Sequence, residues 1–199
     1  MPLDEILYKY RNLIFKVSSR CETLETLYRE HLVCKPGCSQ CCRVERTVLS
    51  IEGYIIERYL QKFSPQRIKR LRRLYKDSDE TCPMLLKDRC VIYPVRPIIC
   101  RTHGLPILYE EAGRAFIDYC RLNFTRLPLH YEFAEQDVLD MNPFNLELIE
   151  LDRYFVEEVT HQPWHPKNRR SLKTILFHLD LRERQTNNSI IDELRSFYR

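Results

Sequence analysis

Glycine is scarce in this chain. Four of its 199 residues are glycine, so it has no glycine-rich loop of the kind that cradles a nucleotide cofactor. No run of about 18 apolar residues occurs anywhere, which excludes a membrane-spanning helix. An excess of one charge is also lacking: 32 Lys and Arg stand against 28 Asp and Glu, for a net charge of +4. So mild a surplus does not by itself direct the chain to nucleic acid. Repeats and low-complexity tracts are absent. The opening MPLDEILYKYRNLIFKV places Asp4 and Glu5 where a secretory signal carries positive charge, and no small-residue cleavage site follows. The expected compartment is the cytosol, where thiols stay reduced.

Cysteine, by contrast, is plentiful, with nine residues. In a reducing compartment they read as metal ligands rather than as disulfides. A chain of this length buries a core without covalent help. Four of the nine fall in CKPGCSQCC, residues 34 to 42. The first three have the C-x3-C-x2-C spacing with which radical S-adenosylmethionine enzymes hold a cluster. Those enzymes place the motif after the first strand of a βα barrel. Here it follows a long helix, and no βαβ alternation comes after it.

That helix is expected over residues 3–32. Ile6, Tyr10, Leu13, Val17, Cys21, Leu24, Leu27 and His31 recur at steps of three or four and form one apolar stripe. Cys21 lies on the stripe and reads as a small buried hydrophobe. His31 reads as a satisfied helix-end histidine. Lys35-Pro36-Gly37 then breaks the helix. Ser50 is the expected N-cap of a second helix, with Ile51, Ile55, Tyr59 and Phe63 inward. Ser64-Pro65 opens a third, with Ile68, Leu71, Leu74 and Tyr75 inward. Its Arg67, Lys69, Arg70, Arg72, Arg73 and Lys76 read as a solvated face.

The stretch CPMLLKDRCVIYPVRPIICR carries Cys82, Cys90 and Cys100 and is stiffened by three prolines into loops and short extended pieces. LPILYEEAGRAFIDYC follows and reads as a β-hairpin turning at Gly113. Pairing Tyr109 with Ala115 places Cys120 opposite Gly104, next to His103. The hairpin would then return Cys120 to the end where Cys100 enters. Asn142-Pro143 starts a helix with the stripe Phe144, Leu148, Leu151, Phe155 and Val159. HQPWHP, residues 161–166, reads as a surface loop because its prolines oppose a helical pairing of His161 with His165. A short segment, Leu172–Leu181, follows. Ser189 and Asp192 have capping-box spacing for a last helix.

Thiolate is the soft ligand that selects zinc or iron–sulfur clusters. With Cys21 set aside, the candidate ligands are Cys34, Cys38, Cys41, Cys42, Cys82, Cys90, Cys100 and Cys120. Eight thiolates complete two four-thiolate sites, or one site with spares. Neighbours such as Cys41 and Cys42 would strain a single tetrahedral zinc site, so they suit a larger cluster or a pair of sites. That balance favours iron over zinc. Four thiolates leave about two negative charges on either kind of centre, and buried charge needs compensation. Arg43, Arg89, Arg96, Arg101 and Arg121 lie within four residues of a cysteine. Arg96, Arg101 and His103 are the candidates for the surrounding shell that tunes a metal site.

Cys34-x3-Cys38-x2-Cys41-Cys42, then Cys82-Pro83-x-Leu85, Cys90-x-Ile92-Tyr93-x-x-Arg96-Pro97-x-x-Cys100-Arg101 and a later Cys120 resemble the bacterial YkgJ-type cysteine cluster proteins. These carry a CxxCxxCC pattern described as zinc- or iron-chelating. The resemblance covers about residues 30 to 125. This chain has three residues rather than two between its first two cysteines, a variation that the family tolerates. The cysteine region is also similar to that of flagellin lysine N-methylases, which are longer. Metal binding is what the resemblance implies, and a protein-modifying methyltransferase is the alternative. The missing glycine-rich loop counts against the alternative.

The expected fold is mainly α with a small β-hairpin, and irregular loops organised around a cysteine-ligated metal site. One domain would span residues 1–199: an N-terminal helix at 3–32, a metal-binding core at 34–121 and a helical extension at 126–199. The cofactor expected is an iron–sulfur cluster of the 4Fe–4S type, or zinc, in a structural or redox role. A protein partner is compatible with this reading; nucleic acid and membrane partners are not expected.

Overall fold

The apolar stripe at the start of the chain becomes α1, Leu3–Leu27. The computed structural model describes residues 1–35, 37–76, 82–128 and 131–180. Ile6, Tyr10, Leu13, Val17, Cys21 and Leu24 are all buried along α1. The helix stops short of the expected residue 32, and Leu27 is 53% exposed. Tyr28 takes its place in the core, with its ring edge-on to Phe124 at 5.2 Å and to Phe133 at 5.8 Å. The carbonyl of His31 accepts the Phe124 N–H at 2.9 Å. Contacts to residues 124–133 thus replace the helix's last turn. His31 lies on that turn with its ring stacked on Phe124.

The second helix, α2, spans Ser50–Leu60 with Ile51, Ile55 and Tyr59 inward. Ser50 is already helical, so the expected cap falls one residue late. The amides at this end go to two buried carboxylates instead. Glu52 accepts the Leu49 N–H at 3.3 Å. Asp152 accepts the Ile51 N–H at 2.9 Å, and its other oxygen accepts the Trp164 ring N–H at 3.0 Å. Asp152 comes from α5, Asn142–Tyr154. The lone tryptophan therefore pins the 161–166 loop to the same carboxylate that caps α2.

Helix α3, Pro65–Lys76, starts as expected, with the Ser64 hydroxyl accepting the Arg67 N–H at 3.2 Å. Ile68 and Leu71 are buried, but Leu74 is 41% exposed. The covering element, α6, Leu172–His178, meets α3 on the flank of Tyr75, whose ring lies 5.9 Å from that of Phe177. Arg72 leaves the expected solvated face. Its guanidinium donates to the carbonyls of Leu176 at 2.9 Å and Leu179 at 3.1 Å, closing the C-terminal end of α6.

Three small sheets join these helices among the described residues. Strand β1, Thr47–Val48, pairs antiparallel with β7, Arg170–Ser171. Strands β2, Leu85–Leu86, and β3, Arg89–Cys90, form a tight hairpin. Where only loops were expected, Ile98–Thr102 makes a short helix, α4. The predicted larger hairpin is present as β4, Ile107–Glu111, and β5, Arg114–Asp118. Its register differs by one residue: Tyr109 faces Phe116, not Ala115. Ala112 and Gly113 both have positive φ, +50° and +74°. They make a two-residue turn that sets Glu111 opposite Arg114.

Strand β6, Leu139–Asp140, adds to the other edge of β4 in parallel. Asn142 does not cap α5; its side-chain oxygen accepts the Glu110 N–H at 3.0 Å and ties the helix start to the hairpin. The end of the α5 stripe winds into a π turn, Phe155–Val159, with Phe155 buried. The architecture is mainly α with small β elements. No helix among the described residues is long and apolar enough to cross a membrane. The helix start expected at Ser189 lies outside the described residues.

Candidate metal centre

All eight candidate cysteines line one cavity of about 710 Å³. Three separated stretches bring them there: the loop 34–42, the segment 82–100 and the residue that follows β5. Cys34 is exposed, Cys82 is buried, and the other six are half-buried. Cys21 stays in the core, with its sulfur 4.0 Å from the Arg101 carbonyl.

Local backbone bonds fix each thiol. A 3₁₀ turn, Gln40–Cys42, presents the doubled cysteine. The Cys42 carbonyl accepts the Cys82 N–H at 2.6 Å, joining the first stretch to the second. Cys90 ends β3 opposite Leu85. Cys100 sits in α4, whose first N–H, that of Ile98, donates to Glu52 at 2.9 Å. Glu52 therefore fastens the start of α2 to the helix that carries Cys100.

Cys120 arrives beside Gly104, near the position expected, although the hairpin register is shifted. A Cβ built on Gly104 would lie 3.9 Å from the Cys120 Cβ and 3.1 Å from the Cys34 sulfur. Gly104 also has φ +106°, which side-chain-bearing residues rarely adopt. Asn123, 2% exposed, organises this corner. Its oxygen accepts the Val33 N–H at 2.9 Å; its amide donates to the Gly104 carbonyl at 2.7 Å and lies 3.5 Å from the Cys34 sulfur.

Of the five arginines named beside cysteines in the sequence, Arg89, Arg96 and Arg101 line the cavity, while Arg43 and Arg121 are exposed and do not. Arg96 lies over the Tyr93 ring at 4.1 Å, and its buried Nε has no hydrogen-bond partner among the described residues. Arg101, 4% exposed, donates to the Pro94 carbonyl at 3.0 Å. Burial lowers its pKa to about 10. His103 also lines the cavity; burial, and then Arg46, lower its pKa. Arg46 belongs to the wall as well and reaches the Cys41 carbonyl at 3.5 Å.

Burial raises the pKa of Cys34, Cys82, Cys90 and Cys100. Cys82 and Cys100 are each pushed from 9.0 up to about 12, chiefly by burial and then by neighbouring thiols. The hydrogen bond with Cys42 does most to raise Cys41, and burial adds to it. A raised folded-state pKa contributes stability that is complete below the unfolded value and disappears as pH rises through the folded one. The metal-free protein is therefore expected to lose stability between pH 9 and about 12. Urea midpoints measured across that range check this, and a rising midpoint would contradict it. Metal binding requires thiolates, so loading should release protons and tighten as pH increases.

The donor set fits a soft metal. Among the described residues, no group of three or more Cys, His, Asp or Glu side chains is gathered closely enough to hold a bare metal ion. The eight thiols share the wall of the one cavity. Gly104 was placed opposite Cys120 in the sequence, whereas Asn123, Glu52 and Arg46 were not singled out. Arg46 lies four residues from Cys42 and was within reach of the charge argument. Asn123, an uncharged polar residue three past Cys120, carried a weaker signal.

Comparison with known families matches residues 33–121 to the CxxCxxCC model, described as "Putative zinc- or iron-chelating domain". The matched segment holds all eight cavity cysteines and covers a little under half of the chain. No curated protein and no solved structure matches the chain.

Proposed function

We propose that this chain, whose residues 33–121 match a zinc- or iron-chelating family, is an iron–sulfur protein with a structural or redox role. One observation carries the reading: eight thiols from three stretches line a single cavity, twice the number that one tetrahedral zinc site takes. A cubane spreads its thiolate ligands more widely than zinc does. Bound there, a 4Fe–4S cluster supplies one-electron redox capacity.

The remaining roles fall to the chain's own side chains. Cys34, Cys38, Cys41, Cys42, Cys82, Cys90, Cys100 and Cys120 form the ligand set. Arg96 offers its unpaired Nε to the anionic centre. Arg101 braces the turn that precedes Cys100 through the Pro94 carbonyl. His103 stands in the wall, where burial and Arg46 lower its pKa in the metal-free protein. The Asn123 amide donates toward the Cys34 sulfur.

Anaerobic purification tests the reading. The expected protein is brown, absorbs broadly at about 400 nm and contains iron and acid-labile sulfide. A colourless protein with stoichiometric zinc would refute the iron assignment.

A further inference from the structure

The eight thiols fall into two groups. Cys34 and Cys120 meet at Gly104. The Cys38 N–H closes a turn on the Lys35 carbonyl at 2.9 Å, which folds Cys38 back toward Cys34. The thiols that act electrostatically on Cys34 are Cys38, Cys120 and Cys41. The second group comes from another stretch of the cavity wall: Cys90 ends the β2–β3 hairpin, Cys100 sits in α4, and the Cys82 carbonyl accepts the Leu85 N–H at 3.0 Å where the hairpin begins. The thiols that act on Cys82 are Cys90, Cys100 and Cys41. Cys41 is common to both sets.

The doubled cysteine therefore stands between two trios. The two thiols of the pair hydrogen-bond to each other in the metal-free protein, a contact that would give way as each thiolate takes up metal. The Cys42 carbonyl holds the Cys82 N–H at 2.6 Å, which docks the pair against the second trio. Three and three, with one more thiol for each, make two sets of four.

Charge gives independent support. Six cationic side chains line the cavity: Arg29, Lys35, Arg46, Arg89, Arg96 and Arg101. Two acids, Glu25 and Asp88, line it with them. The wall thus has a surplus of four positive charges. A single oxidised 4Fe–4S centre with four thiolates carries about two negative charges, and two such centres carry about four. The wall matches two.

We infer that the cavity holds two cluster positions, one on Cys34, Cys38 and Cys120 and the other on Cys82, Cys90 and Cys100, with the Cys41–Cys42 pair supplying one thiol to each. The inference rests on the iron–sulfur reading above.

Anaerobic reconstitution of the full chain with ferrous iron and sulfide tests it. About eight iron and eight sulfide per chain are expected. Cys120→Ser and Cys90→Ser should each retain about half of the iron. Reduced wild type should show an electron paramagnetic resonance signal broadened by two neighbouring clusters, and each variant should lose that broadening. A brown wild type with about four iron per chain overturns the two-centre inference and leaves the iron–sulfur reading intact. So does complete loss of iron from a variant whose helical circular dichroism is unchanged. If a variant does not fold, the wild-type count still decides. A colourless zinc protein overturns the iron–sulfur reading and this inference with it.

Discussion

Asn123→Ala is expected to lower stability by about 1–3 kcal/mol, because it strands the buried Gly104 carbonyl and the part-buried Val33 N–H. The side chain is 2% exposed and occupies the Val33 N–H and the Gly104 carbonyl at once. Removing it leaves the Val33 N–H and the Gly104 carbonyl without their partner. The third contact, toward the Cys34 sulfur at 3.5 Å, bears on the metal. An N–H near a cluster sulfur stabilises the reduced, more negative state, so its loss should lower the reduction potential. Asn123→Asp separates the two roles. It keeps an oxygen for Val33 but faces the Gly104 carbonyl and Cys34 with another oxygen in place of the N–H donor. It should restore part of the stability and none of the potential. Urea denaturation and redox titration of the two variants supply the measurements. Wild-type midpoints and potentials in both would remove Asn123 from the centre.

Gly104→Ala should cost roughly 2–4 kcal/mol from backbone strain and overpacking together. At φ +106° a side chain is strained whatever the space around it. Here there is also little space: the new methyl would stand 3.1 Å from the Cys34 sulfur and 3.2 Å from the Asn123 amide nitrogen. The amide is buried and hydrogen-bonded, so it cannot yield freely. Cys34 is exposed and is the partner that gives way. Metal content should fall together with the urea midpoint. An alanine variant with full metal content and an unchanged midpoint would show that the corner is looser than its distances imply.

The legible parts of the fold were those written in local periodicity. The stripe from Ile6 to Leu24 appears as a buried helix face because steps of three and four admit little else. The Ile107–Asp118 hairpin was legible for the same reason, since apolar runs flank a glycine turn. Its register was not. A turn of two residues and a turn of three fit the same letters, and only the positive φ of Ala112 and Gly113 decides between them. The return of Cys120 to Gly104 was legible because the hairpin carries it there, whereas the sharing of one cavity by all eight cysteines depends on how three separate stretches pack.

What stayed hidden was polar and distant. Nothing in the local sequence says that Asp152 will cap a helix that starts at Ser50, or that Trp164 will share the same carboxylate. Arg72 looks like its neighbours on a charged helix face, yet α6 recruits it. Each of these pairings is set by which elements pack together, and a polar side chain carries no mark of its partner.

The two strand pairings that flank the cysteine region have a bearing on dissection. Strand β1 lies inside the matched segment and its partner β7 lies outside it; the same holds for β4 and β6. Asp152, the cap of α2, also lies beyond the segment's end. A fragment cut at residues 33 and 121 would therefore lose β7 and β6 from two strand edges and would lose a helix cap. The smallest autonomous unit is larger than the stretch that carries the ligands. Grafting the thiols into another scaffold would require bringing α5 and the strand before α6 along as well.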